Sequence, residues 1–564
     1  MFSLAIFSSI SNLIFLIIGQ IYLIKNKTNE KEKLTHLCEQ SIFGFILISF
    51  FALLINFFTS LNQVINSIFL LLLISLIIIF QYKKIFQNFK IIFIFSILSG
   101  LITFFLICLD NIYRPDGGLY HYPFIKILNN EKIILGISNL YYAYGTNSII
   151  QYTSAIYNNL LFRDNGMIMP LANLISVIFL YISSEIIEKI KKKKINFEII
   201  FLSIILVYIS YKFARYSEYG NDGPAHLLFF YLTYKVIQIK NELSIEEYSK
   251  VALISFFIFF IKITMVFTLL FPILLFRIKK IKTYFFNVKF LFIILFIFLW
   301  FSKNILNTGC IIYPINFTCF KNLQWFNNKS LKEIEIKKEE IEAWSKGWID
   351  QKAKNKIDSF YEYNQRFNWI KTWSEKNLKK ILEILLPFIT FLLIILIILK
   401  FKGNTLKNNR SFYRSKNIKF ACIVPLLGFI FWFLNFPTFR FGSSYIITLI
   451  AILFAFLYLK KINRDNFLLL IKFLLIISLL VFSLKQITRI YKEQNNYYYN
   501  YPWPKFYSFT DNHKQINEKI FKNGDFIYSY NNLGACMYSD SLCTHIKPIG
   551  AINYKKKFNY KIYF

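Results

Sequence analysis

The sequence predicts an all-α polytopic membrane protein. Three observations lead there. Apolar runs of about 17 residues or more recur along the chain, and each can cross the roughly 30 Å hydrocarbon core as a helix. Lysine-rich short loops alternate with compact acidic or Gly/Pro-punctuated clusters, the pattern of inner and outer loops. The 564 residues are 56% hydrophobic and 20% aromatic, with Gly and Pro scarce and no fixed-period repeat. The net charge of +35 would suit a nucleic-acid binder. Here most lysines lie between apolar runs, so a basic inner face beside anionic lipid accounts for them. Membrane lipids are expected partners and nucleic acid is not.

The first helix reaches Ile24 with no Lys or Arg before it and no small-residue cleavage site. It reads as a first span rather than a signal peptide. Lys25, Lys27, Lys31 and Lys33 then place the first loop inside and the N-terminus outside. Helices over Ser41 to Phe58 and Val64 to Tyr82 follow, with an uncharged outer hinge between them. Lys83, Lys84 and Lys90 mark the next inner loop. The helix over Ile91 to Leu109 exits and delivers Asp110 and Asp116 to the outer face.

An outer loop, 110–166, holds two short amphipathic stretches, Leu119 to Leu128 and Ser148 to Leu161. Such helices are expected to lie in the interface plane. Helices over Met167 to Ile187 and Phe197 to Tyr211 flank the basic inner loop Lys189 to Lys194. A second outer cluster follows: Arg215, Glu218, Asn221, Asp222, Gly223, Pro224, Ala225 and His226. After the next helix, Lys240 to Lys250 is an inner loop. Val251 to Phe276 is too long for one untilted span and is broken at Lys262-Ile263-Thr264. Two short helices with Lys262 at the outer turn fit it; the alternative is one tilted helix with a buried lysine. Arg277 to Lys282 lies inside.

The helix over Phe286 to Phe301 leads to an outer loop, 302–380, with Trp325, Trp344, Trp348, Trp369 and Trp373. Helices over Ile381 to Leu399, on to Asn435, from Gly442 to Lys460, and over Phe467 to Leu484 complete residues 1–485. Residues 486–564 form a Tyr-rich outer segment. The count is about fourteen crossings with both termini outside. Cys310 with Cys319 and Cys536 with Cys543 are close outer pairs, where disulfides can form. Cys38, Cys108 and Cys422 are inner or within the membrane, and no Cys-x-x-Cys argues for zinc.

The outer face thus collects Asp116, Asp222, His121, His226, Lys262, Lys303 and Arg440. Carboxylates and cations at a membrane surface suit transfer from a lipid-linked phosphate donor. A carboxylate can take the proton of an acceptor hydroxyl, and cations can hold the phosphate, Arg in a bidentate grip. Asp116 is the better base. Asp110 sits where a helix leaves the membrane, whereas Asp116 precedes Gly117-Gly118, which permit a tight turn into a cavity. Asp116, Asp222 and His226 could also ligate a divalent ion such as Mg or Mn. The plainer readings are interfacial hydrogen bonding for the histidines, snorkelling for Lys262, and helix anchoring for Arg440.

Five collinear segments carry a family resemblance: Asp116-Gly-Gly-Leu-Tyr120-His121; Gly136-Ile-Ser-Asn-Leu with Tyr144-Gly-Thr-Asn-Ser148; Lys303 through Tyr313-Pro314; Phe436 through Arg440-Phe-Gly442; and Cys536 through Thr544. The chain resembles the multi-spanning membrane glycosyltransferases of the GT-C superfold, in particular a group of bacterial members. Lys303 stands where Arg is expected, and Cys310 where an aromatic is usual. The resemblance implies an inverting enzyme in the bacterial inner membrane with its site facing the periplasm or exterior. It implies a polyprenyl-phosphate-linked sugar donor, a cell-envelope glycan or lipid acceptor, and Asp116 as base. Tyr120, His121, Asp222, Lys262, Lys303, Tyr313 and Arg440 form the expected substrate-binding set. Two other functions remain open at this point: a ligase or polymerase of lipid-linked glycans, and a transporter or flippase. The latter would carry charges in half-helices near the midplane, and the broken Val251–Phe276 stretch keeps it in play.

Overall fold

The computed structural model describes residues 2–23, 32–108, 116–193, 196–212, 219–239, 243–277, 281–348, 359–402, 416–459, 464–493, 518–523, 526–531, 542–544 and 553–564. Four helices open the chain: α1 (Phe2–Gly19), α2 (Leu34–Phe58), α3 (Gln63–Gln87) and α4 (Phe89–Cys108). A π-helical turn, Gly117–His121, runs into α5 (Tyr122–Asn130), and α6 (Ile149–Tyr157) follows. Next come α7 (Met169–Lys191), α8 (Phe197–Lys212), α9 (Asp222–Gln238) and α10 (Ile245–Ile261), then a 3-10 stretch, Ile263–Leu269, and α11 (Leu270–Leu275). The helical part ends with α12 (Ile281–Phe285), α13 (Val288–Thr308), α14 (Asn328–Ser345), α15 (Phe360–Asn364), α16 (Ile370–Trp373), α17 (Lys379–Lys402), α18 (Lys416–Asn435), α19 (Phe439–Leu459) and α20 (Arg464–Glu493).

Among the described residues nine helices are long and apolar enough to cross a membrane. The architecture is that of a helical polytopic membrane protein. Helices α1, α8, α9 and α10 also occupy expected spans but have only 16 to 18 residues. The break expected at Lys262 is present: its backbone is extended (φ −151°, ψ 113°) between α10 and the 3-10 stretch.

Close packing draws on small and polar residues, as it must where water supplies no drive between helices. A Cβ on Gly19 would lie 1.6 Å from the Gln40 carbonyl oxygen, and one on Gly44 would lie 1.8 Å from that of Phe15. The α1 and α2 backbones therefore touch. Asn12 donates to Thr103 (3.0 Å) and Thr103 to Ser176 (2.9 Å), joining α1, α4 and α7. Helices α7 and α8 are buried nearly throughout, while α3 turns Leu71, Ile79 and Phe80 outward, a lipid-facing surface.

Two expectations change. Helix α6 presents no face to lipid or water: all nine of its residues are buried. Thr153 shares a hydroxyl hydrogen bond with Ser49 of α2 (2.5 Å), and Tyr157 donates to the Ser11 carbonyl of α1. An amphipathic pattern says one side is polar, and here that polar side meets protein. The chain is also not wholly α. Strands β1 (Glu518–Asn523), β2 (Phe526–Asn531) and β3 (Leu542–Thr544) form one sheet, β1–β2 antiparallel and β2–β3 parallel. Strands β4 (Tyr554–Lys557) and β5 (Tyr560–Tyr563) form an antiparallel hairpin. That hairpin docks on the chain just after α5 and on the end of α2. Ile562 bridges to Leu135, Lys561 pairs with Glu131 (2.6 Å), and Tyr560 donates to the Phe57 carbonyl (2.8 Å). Gly136, at φ +69°, comes so close to the Tyr563 carbonyl that a Cβ would clash.

Cys310 and Cys319 are disulfide-bonded. The expected Cys536–Cys543 pair cannot be followed, because Cys536 lies outside the described residues.

Candidate functional site

Four helix ends meet at one end of the bundle. The chain after α4 supplies Asp116, the first residue of α9 is Asp222, the residue after α10 is Lys262, and the first turn of α19 holds Arg440. Arg440 lies between the carboxylates. Its Nη2 donates to Asp116 Oδ2 at 2.7 Å, and its Nε is 2.7 Å from Asp222 Oδ2. Asp222 Oδ1 takes the Lys262 ammonium. Lys262 Nζ and the Arg440 guanidinium also stand 4.4 Å and 5.1 Å from the Phe441 ring centroid, in cation–π range. Two carboxylates and two cations thus balance in charge. The outer pair is more open: Asp116 and Arg440 side chains are each 36% exposed, Lys262 only 10%.

The turn that presents Arg440 is held by tryptophans. Trp373 Nε1 donates to the Pro437 carbonyl (2.6 Å), and Trp432 Nε1 to that of Thr438 (2.7 Å). His226 ties α9 to the start of α19. Its Nε2 is 2.8 Å from the Arg440 carbonyl oxygen, which can only accept, so Nε2 carries a proton; Nδ1 is hydrogen-bonded to Ser444 Oγ at 2.8 Å.

The family model for a domain of unknown function, DUF8201, matches residues 1–447. The chain belongs to the DUF8201 family. The matched stretch contains all four charged residues of the cluster. No curated protein and no solved structure matches this DUF8201 chain.

Within this DUF8201 site the sequence-derived set divides. Asp116, Asp222, Lys262 and Arg440 come together as one network. His121 and Tyr120 stand beside it, on the π-turn that begins one residue after Asp116. Their rings are 4.4 Å apart. Burial holds the His121 imidazole down at about 4 against the pull of Asp116 and Asp222, and pushes the Tyr120 phenol up. Lys303 has different partners. It is fully buried in α13, donates to Asn147 Oδ1, and sits 3.5 Å from the Trp300 ring centroid. Among the described residues it has no carboxylate within ion-pair distance. Tyr313 is buried against Gly145.

Two expectations about chemistry are corrected. The Gly117-Gly118 pair makes no tight turn: Asp116 is helical (φ −58°, ψ −38°) and the glycines continue as a π-turn. The divalent-ion reading fails on its donor set. Among the described residues no three His, Cys, Asp or Glu side chains gather to hold a metal. Both His226 ring nitrogens are already bonded to α19, and the two carboxylates face cations. Asp110, Arg215 and Glu218 lie outside the described residues.

Sequence reasoning missed Phe441, Gln151 and Ser444. Phe441 lies in the Phe436–Gly442 segment with no local feature that marks a role for it. Gln151 had a legible signal, the Ser148-x-x-Gln151 spacing of a capping box. Ser444 had none.

Proposed function

We propose that this protein is a membrane glycosyltransferase of GT-C type. It transfers a sugar from a polyprenyl-phosphate-linked donor to a cell-envelope glycan or lipid acceptor on the outer side of a bacterial inner membrane. The observation that carries this reading is the convergence of Asp116 and Asp222 on Arg440, with Lys262 behind, at one end of a membrane bundle. Support for the sidedness comes from lysines at the far ends of α9 and α10 and on the neighbouring α3 and α7: Lys235 with Glu39, Lys250 with Glu246, Lys84 with Glu32 and Lys189 with Glu198. A lysine-rich end fits the cytoplasmic side. About fourteen crossings, five of them by short helices, complete the proposed topology.

In the proposed reaction the donor phosphate competes with Asp116 for Arg440 and frees the carboxylate. Asp116 then takes the proton of the acceptor hydroxyl. The hydroxyl oxygen bonds to the anomeric carbon from the opposite face. The bond from that carbon to the phosphate oxygen breaks, and its electron pair leaves with the phosphate. Arg440 and Lys262 stabilise the charge that develops there. Asp222, engaged by both cations, holds them in place rather than acting as a base.

The test is transfer of labelled sugar from a polyprenyl-phosphate donor by purified protein, with Asp116→Asn as control. Movement of an intact lipid-linked glycan across vesicles, with no cleavage of the donor, would replace this reading with the transporter one.

A further inference from the structure

His121 lies in the same outer region, and its protonation state can be read from its neighbours. The N-cap of helix α6 is Ser148, whose backbone N–H donates to Gln151 Oε1 at 2.8 Å. Only an oxygen can accept that proton, so the Gln151 amide has one orientation. Its other atom, Nε2, is 2.9 Å from His121 Nδ1. An amide NH₂ donates and never accepts. Nδ1 must therefore present its lone pair, and the ring proton must sit on Nε2. Among the described residues Nε2 has no protein acceptor within hydrogen-bond distance. Tyr120 (4.4 Å) and Tyr219 (5.7 Å) rings flank the imidazole.

We propose that His121 is a fixed, neutral hydrogen-bond donor. Its Nε2–H is offered to an oxygen of the lipid-linked sugar donor, and Gln151 is the positioning residue that sets the tautomer. This rests on the glycosyltransferase reading for its ligand, but not for the tautomer itself. It explains a sequence choice. Glu at this capping position would satisfy the Ser148 N–H as well as Gln does. Glu would then offer His121 a carboxylate oxygen, which accepts, and would draw the proton to Nδ1. Only Gln caps the helix and donates to the ring. It also leaves Asp116 as the group free to act as base, since a ring with Nδ1 engaged and Nε2 protonated cannot take a proton.

The charged groups that face the imidazole are Asp116 and Asp222, which favour its cationic form, and Arg440, which opposes it; burial outweighs both carboxylates.

The experiment is ¹⁵N NMR of histidine-labelled full-length protein in detergent, His121 being assigned by loss of its signals in His121→Gln. The chain has five histidines, so the spectrum is tractable. Wild type should give the Nε2–H tautomer, unchanged from pH 7.5 to 5.5. Gln151→Glu should keep its helix content but move His121 to the Nδ1–H or doubly protonated form. Its turnover should fall on the order of 10²-fold, the scale of a lost fixed donor or a wrong tautomer. A wild-type ring titrating near pH 6.5, or carrying its proton on Nδ1, overturns the proposal. So does a Gln151→Glu protein that shifts the tautomer and transfers sugar at the wild-type rate. Absence of sugar transfer by the wild-type protein, with the Nε2–H signature in place, would instead sink the glycosyltransferase reading.

Discussion

Replacing Asp116 by Asn separates catalysis from folding more cleanly than any other change in the cluster. The amide is isosteric, cannot take a proton, and leaves Arg440 paired with Asp222. Loss of a general base costs about 10²–10⁴-fold in rate, or roughly 3–5 kcal/mol of transition-state free energy. The folding cost is far smaller. Asp116 and Arg440 are each 36% exposed, and an ion pair that open is worth about 0–1 kcal/mol. For a chain this long, the thermal midpoint should move by no more than ~2 °C. The assay is release of labelled sugar from a polyprenyl-phosphate donor, in detergent, beside a melting curve of the same preparation. Asp110→Asn serves as the paired control and should change the rate much less. Transfer by Asp116→Asn within tenfold of wild type would refute the base assignment. A loss of rate that tracks a loss of folded protein would move Asp116 to a structural role.

Four further outcomes follow from the same geometry. Arg440→Lys keeps a charge but cannot reach both carboxylates through separate nitrogens as Nη2 and Nε do, so donor affinity measured by titration should weaken about tenfold or more. Lys262→Met strands Asp222 on Arg440 alone and should lower stability by ~1–3 kcal/mol; adding Asp222→Asn should recover part of that loss. The His121 imidazole stays neutral down to about 4 in the fold but protonates near its ordinary 6.5 when unfolded. Its contribution to stability is therefore whole above pH 6.5 and is lost as pH falls from there to about 4, by ~2 kcal/mol at pH 5; His121→Gln should flatten the acid side of a stability–pH curve. Phe317→Cys, at a 90% exposed position, should react with an impermeant thiol reagent in spheroplasts, whereas Lys192→Cys should react only after permeabilisation.

Much of the helical framework was legible because length and hydropathy decide it locally. The end of α18 at Asn435 and the break at Lys262 could be read directly, since a lysine and a β-branched pair interrupt an apolar run. The quartet was legible as conspicuous polar residues at helix ends. Lys303 looked equivalent by that criterion, but its partner Asn147 is 156 positions away, and no local pattern announces that pairing. For His226 the plainer hydrogen-bonding reading fits, but its partners on α19 are more than 200 positions away and no local pattern announces them. The enclosure of helix α6 was not legible because its pattern does not tell a polar protein surface from water. The β4–β5 hairpin was missed because its turn uses Phe558 and Asn559 at positive φ (48° and 61°), without the Asn-Gly signature that usually marks such turns.

The docking of the β4–β5 hairpin has a consequence for how the molecule is made. Lys561 meets Glu131 across 430 positions, and Arg440 meets Asp116 across 324. Membrane helices enter the bilayer in order of synthesis, so the segment between α4 and α7 emerges long before either partner exists. During that interval Asp116 faces water without its guanidinium, and the edge at Leu135 has no strand beside it. Contacts so distant in sequence form slowly, because loop closure must precede any gain from them. Assembly of this end of the bundle is therefore a late step, separable in time from insertion. A pulse-chase comparison should find the spans protected from protease well before the loop at residues 131–139 is.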